Sequence, residues 1–119
     1  MIGCKSVRGD IMISFNVIEH LTNVPQAFNN MAGMINSNGF MVHRVDYGPH
    51  AYIHKNPFMF LTISNKLWSL MGSNQGTPNR LRHSHILQTL KSCGFNNVDR
   101  ITHRFSLENL KFIQPLISK

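Results

Sequence analysis

The chain has 119 residues, and its 12 Lys and Arg against 5 Asp and Glu give a formal net charge of +7. This length suits one small domain and excludes a two-domain enzyme. With 42% hydrophobic and only 14% charged residues, the composition is not that of a disordered chain or a coiled coil.

The sequence contains no pattern of a membrane span, a secretory signal or a disulfide framework. No apolar run approaches the roughly 18 residues that a membrane span needs, and the first ten residues lack the apolar core of a secretory signal. Cys4 and Cys93 do not form the pattern of a disulfide framework. The sequence therefore predicts a cytoplasmic protein with no membrane partner.

The first predicted elements form a strand and a helix. Residues 10–15 are apolar without alternation, which is typical of a strand buried on both faces in a parallel sheet. Thr22 or Asn23 can cap the helix that follows, and Pro25 suits its first turn. Asn38-Gly39 is expected to end that helix through a residue that tolerates positive φ. Apolar side chains recur at helical spacing at Val24, Ala27, Phe28, Met31, Met34 and Ile35.

A second strand is predicted over residues 40–45, which completes a strand–helix–strand unit of the kind that parallel sheets require. Residues 46–57 are expected to form a polar loop. The apolar stretch 58–71 predicts one or two short helices, and residues 72–82 a second loop.

The last part of the chain predicts a helix that is capped by Ser84, runs through Ser92 and stops at Gly94. A further strand over 97–104 and a short terminal helix over 106–113 complete the prediction. The fold class is therefore α/β.

Polar residues follow both predicted strands. Ser14-Phe15-Asn16 ends the first and is followed by Glu19 and His20, while residues 43–46 end the second. Ligands of open α/β sheets bind outside the carboxyl ends of strands, so these groups are expected to converge on one crevice. Because histidine titrates near neutral pH and a carboxylate can orient it, Glu19 and His20 are candidates for general acid–base catalysis.

These residues carry a resemblance. Residues 10–21, Asp-Ile-Met-Ile-Ser-Phe-Asn-Val-Ile-Glu-His-Leu, resemble the D-x-x-x-S-x-x-V-L-E-H-V motif after strand 4 of class I S-adenosylmethionine-dependent methyltransferases. Residues 23–25 are similar to the family's D-x-P helix start, 31–40 to M-x-R-V-L-K-P-G-G, and 90–95 to L-x-x-A-G-F before strand 6. His43-Arg44-Val45-Asp46-Tyr47 with Pro78-Asn79-Arg80-Leu81-Arg82 resembles one branch of these enzymes.

The chain departs from the family at its start. The cofactor loop E-x-G-C-G-x-G is absent, since Gly3 and Gly9 are the only glycines before Ser14. The acidic residue that holds the ribose hydroxyls at the end of strand 2 is absent too. The resemblance implies a single incomplete domain over 1–119, a partial Rossmann-like methyltransferase fold from strand 4 onward with helices flanking the sheet.

An incomplete sheet exposes an edge and an apolar face. We therefore expect self-association, or a complementing N-terminal half that supplies the missing strands. The chain by itself is expected to lack a competent cofactor site.

The family's reaction is in-line transfer of a methyl group from S-adenosylmethionine to an acceptor, here a small molecule, and positioning does most of that work. By resemblance, Ser14, Phe15 and Asn16 lie near the cofactor, while Glu19 and His20 lie near the substrate. His20 is the first candidate base and His43 the second. Predicted substrate contacts are His43, Arg44, Asp46, Asn79 and Arg80.

Each of these residues also has a structural alternative. His20 can cap or orient the loop after the strand, Glu19 can hold a backbone or Arg group, and Ser14 can simply be a small residue that packs well. His43, Arg44 and Asp46 can form an ion pair at the strand end.

Other functions remain open. A non-catalytic fragment is one alternative, and a basic nucleic-acid-binding module around Arg80, Arg82, His83 and His85 is another, although no nucleic-acid motif accompanies that cluster. The histidines suggest a metal site, since His43, His50 and His54 have gaps of seven and four and His83 and His85 lie two apart. We nevertheless predict none, because a zinc site needs three or four ligands with their second shell, and Cys4 and Cys93 are far apart in the sequence. The identity of the methyl acceptor stays open.

Overall fold

The computed structural model describes residues 8–50, 55–72, 78–96 and 106–117. The fold is mixed α/β, with a small parallel sheet and four helices in these ranges. The elements are β1 (Gly9–Phe15), α1 (Val24–Met34), β2 (Ile35–Arg44), α2 (Asn65–Gly72), α3 (His83–Ser92) and α4 (Leu107–Ile113). Short 3-10 turns span Ile18–His20, Met59–Thr62 and Gln114–Leu116.

The predicted strand–helix–strand unit is confirmed. β1 and β2 pair in parallel, from Ile11 opposite Phe40 to Phe15 opposite Arg44, and α1 is the crossover between them. Both carboxyl ends therefore lie at the same edge of the sheet.

The start of α1 is confirmed and its predicted end is wrong. Asn23 caps the helix, its Oδ1 accepting the Gln26 N–H at 3.0 Å, and Pro25 lies in the first turn. The helix ends at Met34, and β2 begins at once with Ile35. The Asn38-Gly39 pair is therefore part of the strand, and Gly94 is the one glycine in the described ranges with positive φ.

Gly39 serves a close approach between strands. A Cβ on this residue would lie 2.8 Å from the carbonyl oxygen of Asp10 and 2.6 Å from Cγ1 of Ile35. The pairing register is irregular here, since Gly9 lies opposite Ile35 and Ile11 opposite Phe40. Glycine allows β2 to fold back against β1 directly after the helix.

One face of the sheet is covered and the other is bare. Met41 and Val45 pack into the core beside α1. On the opposite face, which we call the bare face, five large apolar side chains are between 50% and 66% exposed. They are Ile11, Ile13, Phe15, Phe40 and Val42. The predicted burial of β1 on both faces is therefore not found within the part of the chain that the structure describes.

The core lies between α1, α3 and the turn after β1. Ile18, Val24, Phe28 and Ile86 are buried there, and Met31, Leu90 and other half-buried residues pack around them. Burial of these side chains fixes α3 against α1 and holds the turn after β1 in place.

Stretch 58–71 forms the Met59–Thr62 turn and α2, as predicted. Trp68 anchors it, because its indole N–H donates to the Pro78 carbonyl at 2.9 Å.

The cap of α3 is Arg82, not the predicted Ser84, and the Arg82 N–H donates to Nδ1 of His85 at 3.1 Å. Gly94 ends the helix with φ of 85°, as expected.

The terminal helix is confirmed as α4, capped by Ser106. The strand expected over 97–104 lies outside the described residues. None of the helices formed by the described residues has the length and apolarity that crossing a bilayer requires.

We expect Gly39→Ala to lower the free energy of unfolding by about 1–3 kcal/mol, because the added methyl group overlaps backbone and side-chain atoms on both strands. Chemical denaturation measures the change. Gly33→Ala in α1 is the matched control, since nothing lies within 4 Å of its added Cβ, and alanine there is expected to be neutral or stabilising. Equal effects of the two substitutions would contradict this account of Gly39.

Candidate functional site

The turn after β1 brings two predicted site residues to the end of the sheet. Asn16 has a φ of 53°, and its N–H donates to the Arg44 carbonyl at 2.9 Å. Asparagine tolerates this left-handed conformation better than most residues. The chain then enters the Ile18–His20 turn, in which Ile18 is buried and Glu19 and His20 follow directly.

Asn79 fixes this turn from the opposite loop. Its side-chain amide donates to the Ile18 carbonyl at 2.9 Å and to the Leu21 carbonyl at 3.0 Å. Its own backbone N–H donates to the Glu19 carbonyl at 2.6 Å. Asn79 was predicted to contact substrate; in the structure its polar atoms hold the turn that carries Glu19 and His20.

Glu19 is buried, with 3% of its surface exposed. One carboxyl oxygen, Oε1, accepts the backbone N–H of Asp46 at 3.3 Å, which matches the alternative that Glu19 holds a backbone group. The other, Oε2, is buried and has no hydrogen-bond partner among the described residues. The contact with Asp46 ties the ends of β1 and β2 together.

Two histidines and an aspartate surround this carboxyl group. The rings of His20 and His50 meet edge to face with centroids 4.8 Å apart. Asp46 places Oδ2 3.5 Å from Nε2 of His50, and its Oδ1 accepts the Gly48 N–H at 2.7 Å. One ligand atom each from Glu19, His20 and His50 lies within 4.8 Å of the others. We call these three residues the strand-end cluster.

The predicted cofactor residues do not share one surface. Ser14 lies on the covered face of the sheet, where its Oγ is 2.7 Å from Nδ1 of His43. Phe15 lies on the bare face, and Asn16 shapes the turn. Of the three, Asn16 is next to the strand-end cluster along the chain.

His43 is embedded between the sheet and α1. Its ring packs against Phe28 at 5.8 Å, and Nε2 is buried with no hydrogen-bond partner in the described ranges. Burial lowers the pKa of His43 below the ordinary histidine value. His43 therefore favours its neutral form, as a base must, but its Nδ1 contact is already the hydroxyl of Ser14.

Arg44 and Arg80 differ in their surroundings. The Arg44 side chain is exposed. Arg80 adopts a φ of 62°, and its guanidinium donates to the Phe60 carbonyl at 3.2 Å and lies over the Trp68 ring. It also donates to the Ile63 carbonyl and to Oδ1 of Asn65. Partial burial lowers the Arg80 pKa.

Arg82, which the sequence predicts to be part of a basic cluster, contacts other parts of the protein. Its guanidinium donates to the Tyr47 carbonyl at 2.8 Å and to the Arg80 carbonyl at 3.1 Å, and it stacks over the Tyr47 and Phe60 rings. Burial lowers the Arg82 pKa to about 10, with a smaller decrease from Arg80 and opposing increases from Tyr47 and Asp46. Arg82 stays charged at neutral pH and joins the loop after β2 to the loop before α3.

His50 is the site residue that sequence reasoning missed. Spacing along the chain groups His50 only with His43 and His54, because its neighbours His20 and Glu19 are about 30 positions away. Its spacing of four from Asp46 is a weak signal by itself.

A shallow groove between α1 and α3 is lined by Pro25, Asn29, Gln88, Thr89, Ser92 and Cys93. It shares no residue with the strand-end cluster.

Compared with family models, with curated proteins and with solved structures, the chain gives no match in any of the three.

We expect acid to destabilise the fold through His43. Its pKa is lower in the folded than in the unfolded chain, so below pH 6.5 the unfolded chain takes up a proton that the folded chain resists. As the pH is lowered, the free energy of unfolding therefore decreases, until the pH is below the pKa of His43 in the folded chain.

Thermal melts at pH 7.5 and 5.5 measure this effect. The decrease in Tm should be smaller in His43→Gln than in the wild type. Lys91→Gln replaces an exposed side chain on α3 and leaves every histidine in place, so it should retain the full decrease. Identical decreases in all three proteins would exclude His43 as the cause.

Proposed function

We propose that this chain is part of an S-adenosylmethionine-dependent methyltransferase domain with a partial Rossmann-like fold, and that the completed domain methylates a small molecule. The observation that carries the proposal is the convergence of Glu19, His20 and Asp46 at the carboxyl ends of two adjacent parallel strands joined by a helix. Ligands of open α/β sheets bind at this place. The order of motifs along residues 10–95 supports the same family.

The strand-end cluster can serve an acceptor that must lose a proton. His20 is exposed at the end of the sheet, beside His50. A neutral imidazole can accept a proton from a hydroxyl or an ammonium group during methyl transfer. Methyl transfer from a sulfonium needs little further chemistry, so orientation of the acceptor is the main requirement.

The bare face supports a partner that completes the domain. In the described ranges β1 pairs only with β2, and an isolated pair of parallel strands is seldom stable in water. Five large apolar side chains stay exposed on one side of the pair. We propose that strands and a helix from a glycine-loop half cover this face and supply the cofactor site.

The nucleic-acid alternative receives less support. Arg80 and Arg82 are the centre of the basic cluster, and both guanidiniums donate to backbone carbonyls inside the molecule. Donors used in this way are not available to phosphate groups.

Calorimetric titration with S-adenosylmethionine and its demethylated product tests the proposal. We expect no saturable binding by the chain alone, and binding by a longer protein that adds whatever segment is encoded directly upstream. Micromolar binding by the chain alone would overturn the incomplete-half proposal. If neither protein binds the cofactor but the chain binds RNA in a salt-sensitive way, the basic-module alternative replaces it.

In a form that binds cofactor, His20→Ala is expected to lower kcat by about 100-fold or more, the typical contribution of a positioned base. The Kd for S-adenosylmethionine should change little, because the imidazole acts on the acceptor. His85→Gln is the matched control and should leave both values unchanged. An unaltered kcat in His20→Ala would remove this residue from the mechanism.

A further inference from the structure

We propose that Glu19, His20 and His50 bind one divalent transition-metal ion, with Zn²⁺ the best chemical match. The proposal rests on the geometry of the strand-end cluster and does not depend on methyl transfer. Spacing along the chain predicts no such site, because the loop after β2 brings His50 to Glu19 and His20 from a distant part of the sequence.

The three side chains already lie close to the arrangement that a metal needs. Their ligand atoms are within 4.8 Å of one another, whereas two ligands on a tetrahedral zinc ion at about 2.1 Å lie about 3.4 Å apart. His20 is exposed and the side chain of His50 is 25% exposed, so a change in the His20 torsions with a smaller one in His50 can close this difference. Glu19 is held by the backbone and can act as the fixed point.

The buried carboxyl oxygen is an independent indication of a ligand. Glu19 is 97% buried, and its Oε2 is left without a hydrogen-bond partner in the described part of the chain. Burial of an unpaired polar atom costs free energy, and native structures rarely leave such an atom unsatisfied. A cation bound between Oε2 and the two imidazoles satisfies it.

Asp46 contacts two of the three proposed ligands. Asp46 Oδ2 lies 3.5 Å from Nε2 of His50, an ion-pair contact that is long for a hydrogen bond. A carboxylate at the far ring nitrogen commonly orients a ligating histidine, so Nδ1 of His50 is the nitrogen assigned to the ion. The Asp46 backbone N–H also holds Oε1 of Glu19, which leaves Oε2 for the ion. One residue therefore positions two of the three ligands.

The donor set selects the class of metal. Two imidazole nitrogens and one carboxylate oxygen match zinc and related transition metals, whereas Mg²⁺ and Ca²⁺ prefer oxygen ligands. Three protein ligands leave a fourth position open, as in catalytic zinc sites, and a water or an acceptor hydroxyl can occupy it. The base role proposed for His20 applies to the metal-free form, so the kcat of His20→Ala is compared with the wild type in the presence of a chelator; in the metal-bound form His20 is a ligand.

Metal titration of the full chain, freed of metal by a chelator, tests the site without any methyl donor. We expect one Zn²⁺ per chain in competition with a chromogenic chelator, and a rise in Tm when Zn²⁺ is added. Glu19→Gln, His20→Gln and His50→Gln should each weaken the affinity by about ten-fold or more. His85→Gln should bind as the wild type does.

Several outcomes would overturn the proposal. They are an absence of binding in the wild type, binding that all three variants retain, or a sulfur-to-metal absorption band with Co²⁺ that identifies a cysteine as the ligand. If Glu19→Gln fails to fold by circular dichroism, the His50→Gln variant decides the question. Cofactor titration measures binding of S-adenosylmethionine, and metal titration measures binding of Zn²⁺. The methyltransferase proposal and the metal-site proposal can therefore be rejected independently of each other.

Discussion

The turn after β1 is the constraint on which the rest of the described structure depends. Burial of Ile18 draws this turn into the core between α1 and α3, and Asn79 fixes it through the carbonyls of Ile18 and Leu21. Glu19 then reaches the backbone of Asp46 and joins the two strand ends. Without this packing neither the parallel strands nor the strand-end cluster would hold their relative positions.

In the described ranges, only one face of the sheet is covered. Parallel strands are normally covered on both faces, because their crossovers place helices there. Here α1 covers one face, while Ile13, Phe15 and Phe40 stand exposed on the other. The crossover that places the strand-end cluster at one edge of the sheet covers only one face, and the exposed apolar side chains on the other face are the observation behind the proposed partner.

Local signals predicted several helix ends, although Ser84 is not the cap of α3. Asn23 and Pro25 specify the start of α1 through contacts within one turn, and Ser106 and Gly94 act in the same way at α4 and α3. The end of α1 could not be read from the sequence, because Gly39 is required by an approach between strands. A helix-stop signal and a close-approach glycine look identical in a single sequence.

In the candidate site, too, the sequence predicted what depends on topology but not what depends on contacts between loops. Parallel topology was enough to predict that the residues after β1 and those after β2 meet at one edge. The structural roles of Asn79 and Arg82 and the place of His50 depend on loops whose paths the sequence does not specify. Charged and amide side chains were therefore assigned to ligands, although several of them bind the protein's own carbonyl groups.

Arg80 and Arg82 also change what the charge of the protein means. Both count toward the formal +7, but their guanidinium groups bind backbone carbonyls after β2, before α2 and before α3. Counterions are released only when a cation meets a phosphate, at about 0.9 per contact on duplex DNA. The ionic-strength dependence of any polyanion encounter is thus set by the remaining lysines and arginines, and composition overstates it.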